Sequence, residues 1–187
     1  MHKGYQGDCV NIMPTLTETP NLIICDAPFV FDEYPTNEWF DICCDIVDPH
    51  GTIAVYVPTV CLHNSYYTNM RNKRRVSSIL TWTHNGFGDN KDTTDETRRY
   101  TSNILIFGHI PTRAEYIGHH PIEETYHPHQ KPLGTFQYLI DHYSKDGDTI
   151  LDPFAGSGIC AKACINRNYI AIDKDIEPYN KVQKTLV

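Results

Sequence analysis

No stretch of this chain approaches the ~20 consecutive apolar residues that cross a bilayer, and no apolar signal core follows Met1. A cytoplasmic protein without a membrane partner is expected. Cysteine pairs of the C-x-x-C kind are missing, and the seven cysteines are an odd number. Cys25, Cys43, Cys44 and Cys61 lie in or beside apolar segments, where a thiol acts as a small hydrophobe. A disulfide framework is therefore not expected. Basic charge is scarce: 16 Lys and Arg face 23 Asp and Glu, a net charge of −7. That weighs against a broad phosphate-binding face. Two local clusters remain, Arg71, Lys73, Arg74 and Arg75, and Arg98 with Arg99. Repeats and low-complexity tracts are also absent. What is there is 187 residues, 40% hydrophobic and 21% charged, which fits one soluble domain with a real core.

Apolar runs alternate with helical spacing along the chain. Asn21 to Cys25 is continuously apolar, the pattern of a strand buried on both faces. Trp39, Phe40, Cys43, Ile46 and Val47 then recur at helical spacing, and Thr52 to Val57 reads as the next strand. Val76 to Trp82 and Ser102 to Phe107 are two more strand candidates. The polar stretch from Asn85 to Arg99 reads as a mobile loop, and Arg113 to His129 as irregular. Phe136, Leu139, Ile140 and Tyr143 mark a helix. A final strand, glycine turn and helix-like stretch run from Thr149 to Asn166, followed by the apolar run Tyr169 to Ile172. The alternation predicts an α/β fold, a sheet with helices on both faces.

Three places carry candidate chemistry. In the first, Asp152-Pro153-Phe154-Ala155-Gly156-Ser157-Gly158 joins a strand to a helix-like stretch. Glycines there permit close backbone approach, and the turn points N–H groups at a nucleoside cofactor. The same residues also suit a tight turn with no ligand. Asp173, at the tip of the following strand, is placed to take both hydroxyls of a ribose. In the second, Asp26-Ala27-Pro28-Phe29 ends the buried strand. A carboxylate, a carbonyl and an aromatic plane suit the amino group of a planar base, although an ordinary strand exit has the same look. In the third, His127-Pro128-His129-Gln130-Lys131-Pro132 precedes a helix. It reads as a rigid loop feeding the pocket rather than a metal site, since no ligand spacing completes a coordination shell.

Taken together, these motifs resemble the amino-group DNA methyltransferases that use S-adenosylmethionine, in the permuted (beta) order. In that family a D-P-P-Y motif precedes an F-x-G-x-G motif. Here Asp26-Ala27-Pro28-Phe29 stands in the first place and Phe154-Ala155-Gly156-Ser157-Gly158 in the second. The resemblance implies a Rossmann-like, mostly parallel seven-stranded sheet in a single catalytic domain. Its catalytic half would be about 1–110 and its cofactor half about 127–187. A minimal target-recognition insertion would fill about 83–126.

The resemblance also implies roles. Asp152 to Gly158 would wrap the cofactor and Asp173 would hold its ribose. Gln130, Lys131 and Pro132 would close over its methionine part. Asp8, after a strand taken to adjoin the catalytic one, would approach the adenine. Asp26 and the Ala27 carbonyl would accept hydrogen bonds from the target amine, with Phe29 stacked on a flipped base. From their charge alone, and not from the resemblance, Arg71, Lys73, Arg74 and Arg75 are candidates to meet DNA phosphates, with a plain solvated face as the alternative. No metal and no covalent cysteine intermediate are called for.

The first motif departs from the family at Ala27, which keeps the carbonyl but loses the fixed φ of proline. Reduced or context-dependent activity is expected. The leading Asp favours adenine N6, since cytosine-N4 enzymes commonly carry Ser there. The alternatives are N4-cytosine or RNA methylation, or a degenerate fold acting as a binding or decoy module. A small core with the 85–99 loop would borrow DNA contacts from a second subunit, and the resemblance implies dimerisation, so a homodimer or a partner subunit is expected. The setting expected is restriction-modification or phage biology.

Overall fold

The computed structural model describes residues 1–28, 37–59, 62, 65–85, 99–108, 116–119 and 130–185. Its centre is one eight-stranded sheet in the order β1-β8-β7-β2-β3-β5-β4-β6. The strands are β1 (His2–Gln6), β2 (Leu22–Cys25), β3 (Thr52–Pro58), β4 (Val76–Asn85), β5 (Arg99–Gly108), β6 (Tyr116–His119), β7 (Thr149–Asp152) and β8 (Asn168–Asp173). From β1 to β3 every neighbouring pair is parallel. Antiparallel pairing enters with β5, against β3 and β4, and β6 runs parallel to β4.

Alternation along the strands assigns the two faces, because successive side chains point to opposite sides. Leu22 and Ile24, Ala54 and Tyr56, Ile104 and Ile106 share one cluster. Ile23 and Cys25, Ile53 and Val55, Leu105 and Phe107 share the other. Helix α4 (Leu133–Tyr143) covers the first face with Phe136, Leu139, Ile140 and Tyr143. On the second face, α2 (Glu38–Ile46) brings Trp39, Phe40 and Cys43. Full burial of each such side chain contributes about 1.5–3 kcal/mol. The remaining helices are α1 (Cys9–Ile12), α3 (Ser65–Lys73), α5 (Cys160–Ala163) and α6 (Glu177–Gln183), with a 3-10 turn at Met13–Thr15. Among the described residues no helix is long and apolar enough to cross a membrane.

The structure departs from the sequence reading in three respects: strand count, the helix after the glycine turn and the place of β1. The sheet has eight strands rather than seven; β6 lies inside the stretch read as irregular. It is a four-residue edge strand with Gly118 at φ +105°, so it leaves no period-2 signal. The helix after the glycine turn is one turn long and ends before Asn166, which takes φ +60°. The expected loop from Asn85 to Arg99 is bounded by strand ends, and 86–98 lie outside the described residues. Finally, β1 pairs with β8 and stands on the cofactor side, separated from β2 by β8 and β7.

This order positions the site. From β7 the chain moves to β8 on one side, whereas β2 leads to β3 on the other. Open α/β sheets bind ligands at such a reversal, outside the carboxyl ends of the strands. The ends of β7, β8 and β2 meet there.

Candidate active site

The glycine turn is tied to its neighbours by its own backbone. Ala155 N–H donates to the Ile172 carbonyl (3.0 Å), and Gly158 N–H to the Ala155 carbonyl (2.7 Å). Gly156 and Gly158 take φ of +48° and +72°, a region that L side chains rarely enter. A Cβ on Gly158 would also lie 2.7 Å from Tyr179 Cα. The ring of that tyrosine meanwhile lies against Gly4 on β1, where a Cβ would come within 2.9 Å of its Cδ1. The turn, β1 and α6 are therefore packed at backbone distance. Phe154 is half-buried, its ring edge-on to Trp39 of α2 with centroids 5.2 Å apart.

Asp173 holds this turn in shape. Its Oδ2 accepts from Gly156 N–H at 2.7 Å, and its Oδ1 from Asp175 N–H at 2.9 Å. Each carboxylate oxygen keeps a further acceptor direction for a ligand. Helix α5 is too short to offer a helix-end field, and the N–H groups of Phe154, Ala155, Gly156 and Gly158 are already bonded within the protein.

Asp152 lies beneath the turn and is buried. Burial pushes its carboxyl up to about 7, against hydrogen bonds from Tyr169 Oη (3.0 Å) and Phe154 N–H (3.2 Å). The negative charges of Asp26 and Asp173 push the same way. A carboxyl raised in the folded state contributes stability that is full below the ordinary carboxylate range and lost as pH rises through 7. Asp152→Asn should remove that loss. Urea unfolding at pH 5 and pH 8 is expected to show the variant gaining on the parent by on the order of 2–3 kcal/mol over that interval. An unchanged difference between the two proteins would show that Asp152 is ionised throughout.

Asp26 follows β2, whose Ile23 pairs with Leu151 of β7. Continuing that register sets Asp26 just past Asp152 on the rim. Its Oδ2 is 2.6 Å from Lys131 Nζ, with side-chain exposures of 21% and 13%. Its Oδ1 is buried and has no hydrogen-bond partner among the described residues. Lys131 Nζ also stands 5.7 Å from the ring centroid of Tyr56. Tyr56 Oη pairs with Thr135 Oγ1 at 2.8 Å, and that hydroxyl donates to the Pro132 carbonyl at 2.8 Å. The segment 130–132 is thus pinned to β3, with Gln130 and Pro132 buried. Ala27 is buried as well, its methyl in the cluster under the rim, so packing holds the unit that a proline ring would otherwise stiffen. Pro28 is exposed. Phe29 and the triplet 127–129 lie outside the described residues. Among the described residues no group of three His, Cys, Asp or Glu is arranged to hold a metal ion.

The other expected site residues fall elsewhere. Asp8 caps α1 by accepting from Val10 N–H at 3.0 Å, and its Oδ2 is 3.8 Å from Lys174 Nζ. It follows β1, so it stands beside Asp173 on the cofactor side rather than next to the catalytic strand. The basic run is spread along α3 and the residues just after it. Arg74 reaches Gly108, which packs on Gly51 and Thr52 at the amino end of β3. Arg71 donates to the Leu62 carbonyl at 2.6 Å, and Lys73 lies 3.5 Å from Asp41. Arg75 is exposed.

The family of N6 and N4 methyltransferases, described as DNA methylase, matches residues 63–184, more than half of the chain. The chain belongs to this DNA methylase family. The Type II methyltransferase M.HpaI of Haemophilus parainfluenzae is 29% identical over 169 residues, covering 74% of this chain. The chain spans about half of that methylase, 54% of its length. Among solved structures, the M1.HpyAVI-SAM complex aligns over 99% of this chain and 100% of its own, at 22% identity and a TM-score of 0.79. The cytosine-N4-specific PvuII DNA methyltransferase aligns over 100% of this chain and 86% of its own, at 13% identity and a TM-score of 0.78. These likenesses agree with the methyltransferase sheet described above.

Motif reading brought Asp26, Lys131 and the Asp152–Gly158 turn to one rim. It missed Tyr56, Thr135 and Tyr169, which fix the loop and the buried carboxyl. A lone tyrosine within each of the aliphatic runs Thr52–Val57 and Tyr169–Ile172 was the available signal.

Proposed function

We propose that this chain transfers a methyl group from S-adenosylmethionine to the exocyclic N6 amine of adenine in DNA. The observation that carries the reading is the placement of Asp26 beside the glycine turn, on neighbouring strands of one rim. The turn fits the cofactor: Gly156, at φ +48°, carries no Cβ where one would meet nothing nearer than the Phe154 carbonyl at 3.9 Å, and Asp173 keeps free acceptor directions. When bound there, the cofactor supplies an electrophilic methyl group on a sulfonium centre.

The residues of the chain then prepare the acceptor. A conjugated exocyclic amine is a poor nucleophile. Hydrogen bonds from its N–H groups to Asp26 and to the Ala27 carbonyl draw the nitrogen toward tetrahedral geometry and free its lone pair. Positioning and fixed electrostatics do this work. The base must leave the duplex stack to reach the rim, and Phe29 is assigned the stacking role by its place in the motif.

Arg71, Lys73, Arg74 and Arg75 remain candidates for phosphate contacts, with Arg74 toward the amino end of β3 and Arg71 reaching Leu62 beyond its carboxyl end. The β4–β5 pair continues beyond the last β3–β5 partners, Pro58 and Ser102, to Asn85 and Arg99. That overhang past the carboxyl rim is assigned the target strand, with a second copy or partner subunit completing the grip. The Type II names of the relatives support a restriction-modification setting.

The deciding experiment incubates the protein with methyl-labelled cofactor and duplex DNA, RNA and protein acceptors. Label in DNA that digests to N6-methyladenine is the expected result. N4-methylcytosine would move the target to cytosine. Label in RNA alone, or in nothing, would sink the proposal.

A further inference from the structure

We propose that Lys131 is a positioning residue for Asp26: its ammonium holds Oδ2, so that Oδ1 is the oxygen presented to the target amine. The inference rests on the methyl-transfer reading and deepens it. Motif position alone assigned Lys131 to the cofactor; the geometry puts it on the catalytic carboxylate instead.

Four observations converge. The Nζ–Oδ2 separation is 2.6 Å, with both side chains mostly removed from solvent. The second oxygen of the same carboxylate is buried and unpartnered among the described residues. A buried charged acceptor left unmade is costly, and an arriving N–H donor relieves that cost at the point where the chemistry needs it. The lysine stands near the Tyr56 ring, and the segment it leaves from is locked through Pro132, Thr135 and Tyr56. The ammonium is therefore aimed by the fold. Finally, three carboxyl groups gather here, and the charges of Asp26 and Asp173 both act on Asp152. A cation on Asp26 offsets that repulsion. Tyr56, whose ring stands near the ammonium, is held neutral by burial.

The pair fixes more than charge. A carboxylate free to rotate offers either oxygen to the amine and holds neither. With Oδ2 anchored, the acceptor direction is set before the base enters, which is the pre-organisation that makes such contacts effective.

The test compares K131M and K131R with the parent. In single-turnover reactions on DNA, K131M is expected to lower the transfer rate by roughly 100-fold, the scale of a misaligned catalytic group. S-adenosylmethionine affinity by calorimetry and the KM for DNA should stay within about threefold, because the loss lies in transfer and not in binding. K131R, which keeps the charge, should recover part of the rate. Loss of cofactor affinity equal to the loss of rate would overturn the proposal and make Lys131 a cofactor ligand. An unchanged rate would overturn it outright.

A melting cycle reads the pair without any activity. K131M alone should lower the melting temperature by leaving Asp26 unpaired, and adding D26N should restore it. Additive effects would mean that the ion pair is not made. If the parent methylates no acceptor, the functional reading fails, and the melting cycle still decides whether the pair exists.

Discussion

Asp26→Ala is expected to abolish methyl transfer while leaving the cofactor site standing. Single-turnover rates should fall by at least about 1,000-fold, the upper scale for deleting one pre-organised transition-state contact. S-adenosylmethionine affinity should change by no more than about threefold, because the proposed role sets Asp26 against the acceptor and not the cofactor turn. The variant also strips Lys131 of its counter-charge in a cleft where that side chain is 13% exposed. Removing one partner of a buried pair costs up to about 3–5 kcal/mol, and less here because water still reaches Asp26. Asp26→Asn provides the control for folding, since it keeps the shape and one acceptor oxygen. Calorimetric titration and transfer rates on both variants check the claim. Equal collapse of affinity and rate in Asp26→Asn would place Asp26 in cofactor binding or folding.

Gly158→Ala should be the most damaging change at the turn. Two costs add. The first is φ of +72°, where an L side chain pays about 1–2 kcal/mol. The second is steric: the new Cβ meets Tyr179 Cα at 2.7 Å, and a backbone atom of α6 cannot swing aside. Either α6 retreats or the turn does, and the Gly156–Asp173 hydrogen bond is strained with it. Cofactor affinity is expected to drop by roughly 100-fold or more, with a melting temperature lower by about 4–8 °C for each kcal/mol in a small domain and less in a chain of this size. Gly156→Ala isolates the first cost, since its Cβ would meet nothing nearer than the Phe154 carbonyl at 3.9 Å. It should bind cofactor distinctly better than Gly158→Ala. Matching losses in the two variants would refute the steric account.

Much of the fold was legible because burial on both faces writes itself as continuous apolar runs. Leu22–Cys25 and Thr52–Val57 are such runs, and Trp39, Phe40 and Cys43 recur at the spacing that α2 realises. Helix α3 escaped notice because its sequence is almost wholly polar, with Tyr67 and Met70 its buried contacts among the described side chains. Strand β6 escaped through shortness and Gly118. The partner of β1 was misjudged for a different reason: strand order depends on long-range packing that no local pattern records.

The site divided in the same way. Its motifs announced Asp26 and the glycine turn, each compact in sequence. The Asp26–Lys131 pair joins residues 105 positions apart, and the hydroxyl chain from Tyr56 to Pro132 has no motif of its own. The sequence reading handed Arg71 to Arg75 to DNA on charge alone. The structure spreads them between the Leu62 carbonyl, Asp41 and Gly108, so a run of cations in sequence is not one surface.

The ring of Tyr179 sets a further condition on the lineage of this chain. It packs at once against Gly4 near the start and Gly158 near the end. Those two positions are therefore not free to drift separately. A descendant that gains a side chain at position 4 needs a slimmer residue at 179, and that replacement in turn loosens what presses on 158. Substitutions at the three sites should travel together through the history of the protein, although the first and the last stand far apart in the sequence.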